Sequence, residues 1–85
     1  MKQYTVATIL IHNQEKIYAE VDKVKTKADL PNVTKVVEQV LEDNKDAIRD
    51  KVAAYKCVEY LKIAEKKSIA AYTGTLVTYM GYGKV

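Results

Sequence analysis

Phenylalanine and tryptophan are absent from this chain of 85 residues, and all seven aromatic side chains are tyrosines. Every ring therefore has a polar end, as expected of a surface that stacks on a ligand and hydrogen-bonds to it. Cysteine occurs once, at Cys57. That excludes an internal disulfide and points to a reducing, cytoplasmic setting. No apolar run approaches the roughly 18 residues that a membrane-crossing helix needs, and residues 1–11 read as a strand rather than a signal peptide. The three glycines, Gly74, Gly81 and Gly83, form neither a GxGxxG fingerprint nor a Gly-Lys-Ser/Thr loop, which removes the usual phosphate cradles.

Histidine is equally scarce. His12 stands alone, and with Cys57 it gives too few ligands for zinc. Its place at the end of the first apolar stretch suits an ordinary strand-end residue, without the nucleophile and orienting group that a general base requires. The acids Glu38, Glu42, Asp43 and Asp46 read as a solvated helix face beside Lys35 and Lys45 rather than a magnesium site. The expectation is a protein that is not an enzyme and needs no cofactor or metal.

What the chain does contain is lysine: thirteen of them, with a single arginine, Arg49. Residues 1–30 hold five lysines against four acids. Residues 31–50 hold three basic groups against five acids, and residues 51–85 hold six lysines against two. Charge is thus polarised, with an acidic middle and a basic last third. One 85-residue unit is a single domain, residues 1–85, and its small core makes a homodimer a natural source of further burial.

The coarse pattern predicts an α+β fold. Residues 3–12 are β-branched and apolar on both alternating faces, as in a covered strand. Residues 16–26 alternate Ile17, Ala19 and Val21 with Tyr18, Glu20 and Asp22, which predicts a second strand and a hairpin. Pro31 marks a helix start. A break near Asn44 divides two helices, because one helix over 32–67 would be about 54 Å long. Residues 69–80 predict a last strand with a bulge at Gly74. The resulting order is ββααβ, a small antiparallel sheet with helices on one face; ββαββ is the alternative if residues beyond 57 turn back as a hairpin.

On the second helix Arg49, Ala53, Lys56, Tyr60, Ala64 and Lys67 recur at helical spacing as a basic stripe around one ring, with Ile48, Val52 and Tyr55 turned toward the core. Lys23, Lys25 and Lys27 cluster at the end of the second strand. Lys62, Lys66 and Lys67 close the second helix, where lysines also suit the helix dipole, and Tyr72, Tyr79, Tyr82 and Lys84 lie on the last strand and tail. Lysines can follow a phosphate backbone while tyrosines stack on bases. The candidate nucleic-acid-binding residues are therefore Arg49, Lys56, Tyr60, Lys67, Lys23, Lys25, Lys27, Tyr72, Tyr82 and Lys84. Arginine is the usual reader of base edges, so its scarcity points to RNA or another nucleic acid bound without sequence preference. The rival expectation is a protein-only inhibitor or adaptor that docks through a sheet edge or the apolar first strand.

In size, lysine and tyrosine richness, compact α+β order and lack of a catalytic set, the chain resembles small phage-encoded proteins that act on host or defence machinery. The resemblance implies inhibition or sequestration of a target such as a nuclease or toxin, sometimes with nucleic acid as the bridge. It assigns no role to any residue.

Overall fold

The computed structural model describes residues 2–81; Tyr82 and Lys84 lie outside them. The described residues form five α-helices: α1 (Val6–His12), α2 (Gln14–Val21), α3 (Leu30–Asp43), α4 (Lys51–Glu65) and α5 (Ile69–Tyr79). Short 3₁₀ turns at Lys27–Asp29 and Lys45–Ala47 precede α3 and follow it. No sheet occurs among the described residues, where the isolated β-pairing is one parallel bridge between Tyr4 and Ile48. The α+β expectation, in both its ββααβ and ββαββ forms, is therefore corrected to all-α.

Each misread segment is helical for an identifiable reason. In α1 the Thr5 Oγ1 accepts the Thr8 backbone N–H at 3.2 Å, capping the first turn. Val6, Ile9 and Leu10 are buried, and they sit at the i, i+3, i+4 spacing of one helix face. The segment is apolar on both alternating faces, but its buried set follows the helical period. Residues 16–26, whose alternation predicted the second strand, instead hold most of α2, with Ile17 buried and Ala19 exposed, so the alternation marks no common face. In α5 the Ser68 Oγ accepts from the Ala71 N–H at 3.0 Å, and Tyr72, Leu76 and Met80 bury one stripe at intervals of four. Its threonines, poor helix formers, turn their hydroxyls onto the preceding turn: Thr75 donates to the Ala71 carbonyl and Thr78 to that of Gly74. Gly74 marks no bulge; the space beside it is open. The β-propensity of such residues is a weak prior that an available buried stripe overrides.

The helix break near Asn44 is present. Asn44 ends α3, and its side-chain amide donates to the Val40 carbonyl at 2.7 Å. Pro31 lies in the first turn of α3, as its fixed φ favours. The cap of α4 is Asp50, whose Oδ1 accepts the Ala53 N–H at 3.0 Å. Between them the connector is tied to the N-terminal segment: Tyr4 N–H donates to the Ala47 carbonyl, and Arg49 N–H donates to the Tyr4 carbonyl.

The core lies around α3, which packs against α1, α2 and α4, while α5 packs mainly on α4. Val33, Val37, Val40 and Leu41 from α3 meet Leu10, Ile17, Cys57, Leu61, Tyr72 and Met80. Full burial of each large aliphatic side chain contributes roughly 1.5–3 kcal/mol before entropy is counted. One buried polar pair joins α3 to α5, the Thr34 and Tyr72 hydroxyls at 2.7 Å. Both find a partner there, so neither side chain carries the cost of an unsatisfied polar atom.

Candidate nucleic-acid interface

The loop Lys23–Lys27 between α2 and α3 is fixed by one carboxylate. Asp29 Oδ2 accepts the backbone N–H of Lys25 and of Thr26, each at 2.9 Å. These donors hold the Asp29 carboxyl below its ordinary pKa, since each favours the charged form. Thr26 returns the favour to the Asp29 backbone, closing a capping box at the 3₁₀ turn. Residues Lys23, Lys25 and Lys27 thus stand on a built turn.

Lys27 then joins this loop to α4. Its Nζ donates to the carbonyls of Lys66 at 2.8 Å and Lys67 at 3.3 Å, across some forty positions of sequence. A cation on the last carbonyls of a helix satisfies acceptors that lack intrahelical donors and opposes the negative dipole end. The two lysine clusters predicted from sequence therefore meet at one end of the molecule. Lys27 serves the fold there, Lys23 pairs with Glu20 at 3.4 Å, and Lys25, Lys66 and Lys67 stand exposed without a salt bridge among the described residues.

Beside this basic end runs an open groove of about 610 Å³ between α4 and α5. Tyr60, Ile63, Lys67, Thr75 and Tyr79 are among its lining residues. Tyr60 and Tyr79 stack with ring centroids 6.2 Å apart and planes 30° from parallel. Burial, the Cys57 thiol and Tyr60 together push the Tyr79 hydroxyl above its ordinary pKa, so it stays protonated and able to donate. A lysine end and a tyrosine-lined groove are contiguous through Lys67.

The predicted stripe along α4 does not form as drawn. Arg49 is exposed but lies on the connector before the helix, its backbone N–H engaged by Tyr4. Fifteen residues of helix separate that connector from Lys66, a distance of about 22 Å. Ala64 is buried and Ala53 half-buried, so the Ala53–Ala64 line faces the domain rather than solvent. Lys56 and Tyr60 are exposed on α4, and Lys67 follows its last turn. Tyr72 is corrected outright: it is 2% exposed, bonded to Thr34, and burial pushes its hydroxyl up to about 12. It belongs to the core, not to a ligand.

The expected core side of α4 is also corrected in part. Tyr55, expected to face the core with Val52, is 67% exposed, and Val52 is 62% exposed. Sequence reasoning placed Lys66 at the end of the second helix but left Ile63 off the surface. The spacing of Val52, Lys56, Glu59 and Ile63, four, three and four, is the signal that would have found the outer face of α4.

Fold and surface define a small all-α domain with one basic end and one tyrosine groove. No protein-family model, curated protein or solved structure matches the chain.

Proposed function

We propose that this is a small non-enzymatic nucleic-acid-binding protein, with RNA or single strands favoured, that acts by occupying or sequestering a target. The observation that carries it is the Lys27 contact with the α4 terminus, which brings the loop lysines and Lys66–Lys67 to one end beside the tyrosine groove. Lys25, Lys66 and Lys67 would neutralise phosphates, while Tyr60 and Tyr79 offer ring faces to unstacked bases. Base stacking on such a ring contributes about 1–3 kcal/mol. With one arginine in the chain, base-edge reading is not expected, and binding is sequence-tolerant. A target such as a nuclease or a toxin acting on RNA would then be held directly or through the bound strand.

Three phosphate contacts set the scale of the test. A single strand loses about 0.7 in logarithmic salt slope per phosphate, so affinity for a mixed-sequence RNA falls about 20-fold between 50 and 200 mM salt. Lys25→Ala, Lys66→Ala and Lys67→Ala together flatten that slope. Absence of RNA binding at 50 mM salt refutes the reading.

The protein-only alternative loses the sheet edge and apolar strand on which it was first drawn, because residues 6–12 are a helix with its apolar face buried. Affinity purification with and without ribonuclease separates what remains of it. Partners retained after digestion favour direct protein docking.

A further inference from the structure

The outer face of α4 leaves large apolar groups open to solvent, with only Tyr60 partly covered, by the Tyr79 ring. Val52, Tyr55, Tyr60 and Ile63 are 62%, 67%, 49% and 51% exposed, with Lys56 and Glu59 among them. Tyr55 borders the groove toward α3, and Tyr60 and Ile63 border the groove toward α5. The face therefore stands as a ridge between two grooves, the relief that helix pairing uses.

Its sequence is self-complementary about a point between Cys57 and Val58. Val52 and Ile63 lie equally far on either side of that point, as do Tyr55 and Tyr60, and Lys56 and Glu59. A two-fold axis at that point, relating two antiparallel copies of α4, sets Val52 level with Ile63 of the partner subunit. The same axis sets Lys56 level with Glu59 of the partner subunit. Apolar meets apolar and cation meets anion, twice each, as an isologous contact requires. The rings fall on the flanks, with Tyr55 beside Tyr55 of the partner subunit and Tyr60 beside Tyr60 of the partner subunit. The spacing is that of a three-turn helix seam with a central polar pair, a device that fixes register at some cost in affinity.

We infer that the protein forms a two-fold homodimer through antiparallel packing of α4 on α4 of a second copy. Lys56 goes to that contact and Tyr60 borders both surfaces, while Lys25, Lys66 and Lys67 remain outside it. In this register Arg49 of the partner subunit comes level with Lys66, so the pairing returns Arg49 to the basic end from which the single chain separates it. The dimer itself stands on the shape and charge of α4 alone, and its test contains no nucleic acid.

Sedimentation of the full chain decides it. One helix pair is a small interface, so the dissociation constant is expected on the order of 10 µM. The wild type runs at twice 9.6 kDa at several hundred micromolar and as a monomer well below that constant. Val52→Glu with Ile63→Glu keeps the helical spectrum and removes the dimer. Lys56→Glu and Glu59→Lys, each alone, weaken it at least tenfold, since like charges then face each other. Mixed in equal amounts, those two variants associate, because each supplies the charge the other lacks. Circular dichroism checks that each variant is folded, and the mixing experiment decides should the apolar variant not fold. A monomeric wild type at every concentration overturns the proposal. So does a dimer that ignores the charge reversals, or charge variants that stay apart when mixed.

Discussion

Helices α3 and α4 are nearly equal in length and differ in how their surfaces are used. α3 keeps its apolar residues to one stripe, buried in the core, and turns Lys35, Glu38, Gln39, Glu42 and Asp43 to water. α4 buries Cys57, Val58, Leu61 and Ala64 on one side and leaves Val52, Tyr55, Tyr60 and Ile63 exposed on the other. A helix whose amphipathicity is complete has finished its work within the domain. A helix apolar on two sides has one face for the fold and one for something else. The surface ion pair that links them, Lys62 with Glu38 at 3.8 Å, and the pair within α4, Lys62 with Glu59 at 4.0 Å, are exposed and add little to either role.

The sharpest test of that division lies within α4. Leu61→Ala opens a cavity in the core and should cost about 2–5 kcal/mol, enough to unfold a domain this small at moderate temperature. Ile63→Ala, two residues away, should change monomer stability by no more than about 0.5 kcal/mol in dilute solution. Chemical denaturation of both variants makes the comparison. Equal losses would show that the outer face is structural after all.

Alkali probes the buried side of the same helices. Burial raises the Cys57 thiol from 9.0 to about 12 and the Tyr72 hydroxyl from 10.0 to about 12. Both groups keep their protons more tightly when folded, so the unfolded chain releases protons first as pH rises. The contribution of these two groups is full below pH 9.0 and declines from there to about pH 12. Cys57→Ala should delay the onset to near pH 10, read as the melting temperature against pH.

A smaller effect is expected at the α3–α5 contact. Thr34→Val leaves the Tyr72 hydroxyl buried without its partner, at a cost of about 1–3 kcal/mol. Adding Tyr72→Phe removes the orphan and should recover most of the loss. A double-mutant cycle by thermal unfolding measures the coupling; additive losses would mean that the pair contributes nothing jointly.

The least effect on overall stability belongs to the basic loop. Because the folded Asp29 carboxyl has a lowered pKa, its contribution is present above 3.8 and disappears as pH falls through the folded value. Asp29→Asn should loosen the loop at neutral pH, seen as faster hydrogen exchange at the Lys25 and Thr26 amides with little change in the core. On the proposed function, RNA affinity should fall with it, since the loop lysines lose their fixed position.

Local punctuation was legible in the sequence, and the period of the apolar pattern was not. Pro31 and Asn44 marked the start and end of α3, where proline's fixed φ and a helix-ending amide have few alternatives. Segments 3–12 and 69–80 are short and rich in threonine, valine and isoleucine, so alternation and helical spacing both fitted. Caps decided between them: Thr5 and Ser68 each stand just before the first helical residue, and each accepts from the amide three positions on. The candidate site was legible as two lysine groups but not as one surface. That depended on Lys27 reaching Lys66 and Lys67, a contact with no local trace. Tyr72 was misplaced because a strand with exposed tyrosines and a helix with one buried tyrosine have the same composition.

The pairing of Tyr4 with Ala47 and Arg49 closes a loop of about 44 residues in a chain otherwise built from neighbouring helices. Closing such a loop from a random coil costs about 3 kcal/mol of chain entropy. Packing of α1 on α3 holds the same two regions together, so the bridge does not carry that cost alone. What it fixes is the direction in which the chain leaves the α3–α4 connector. The tilt of α4, and with it the aim of its outer face, is therefore held by a strap at the opposite end of the sequence.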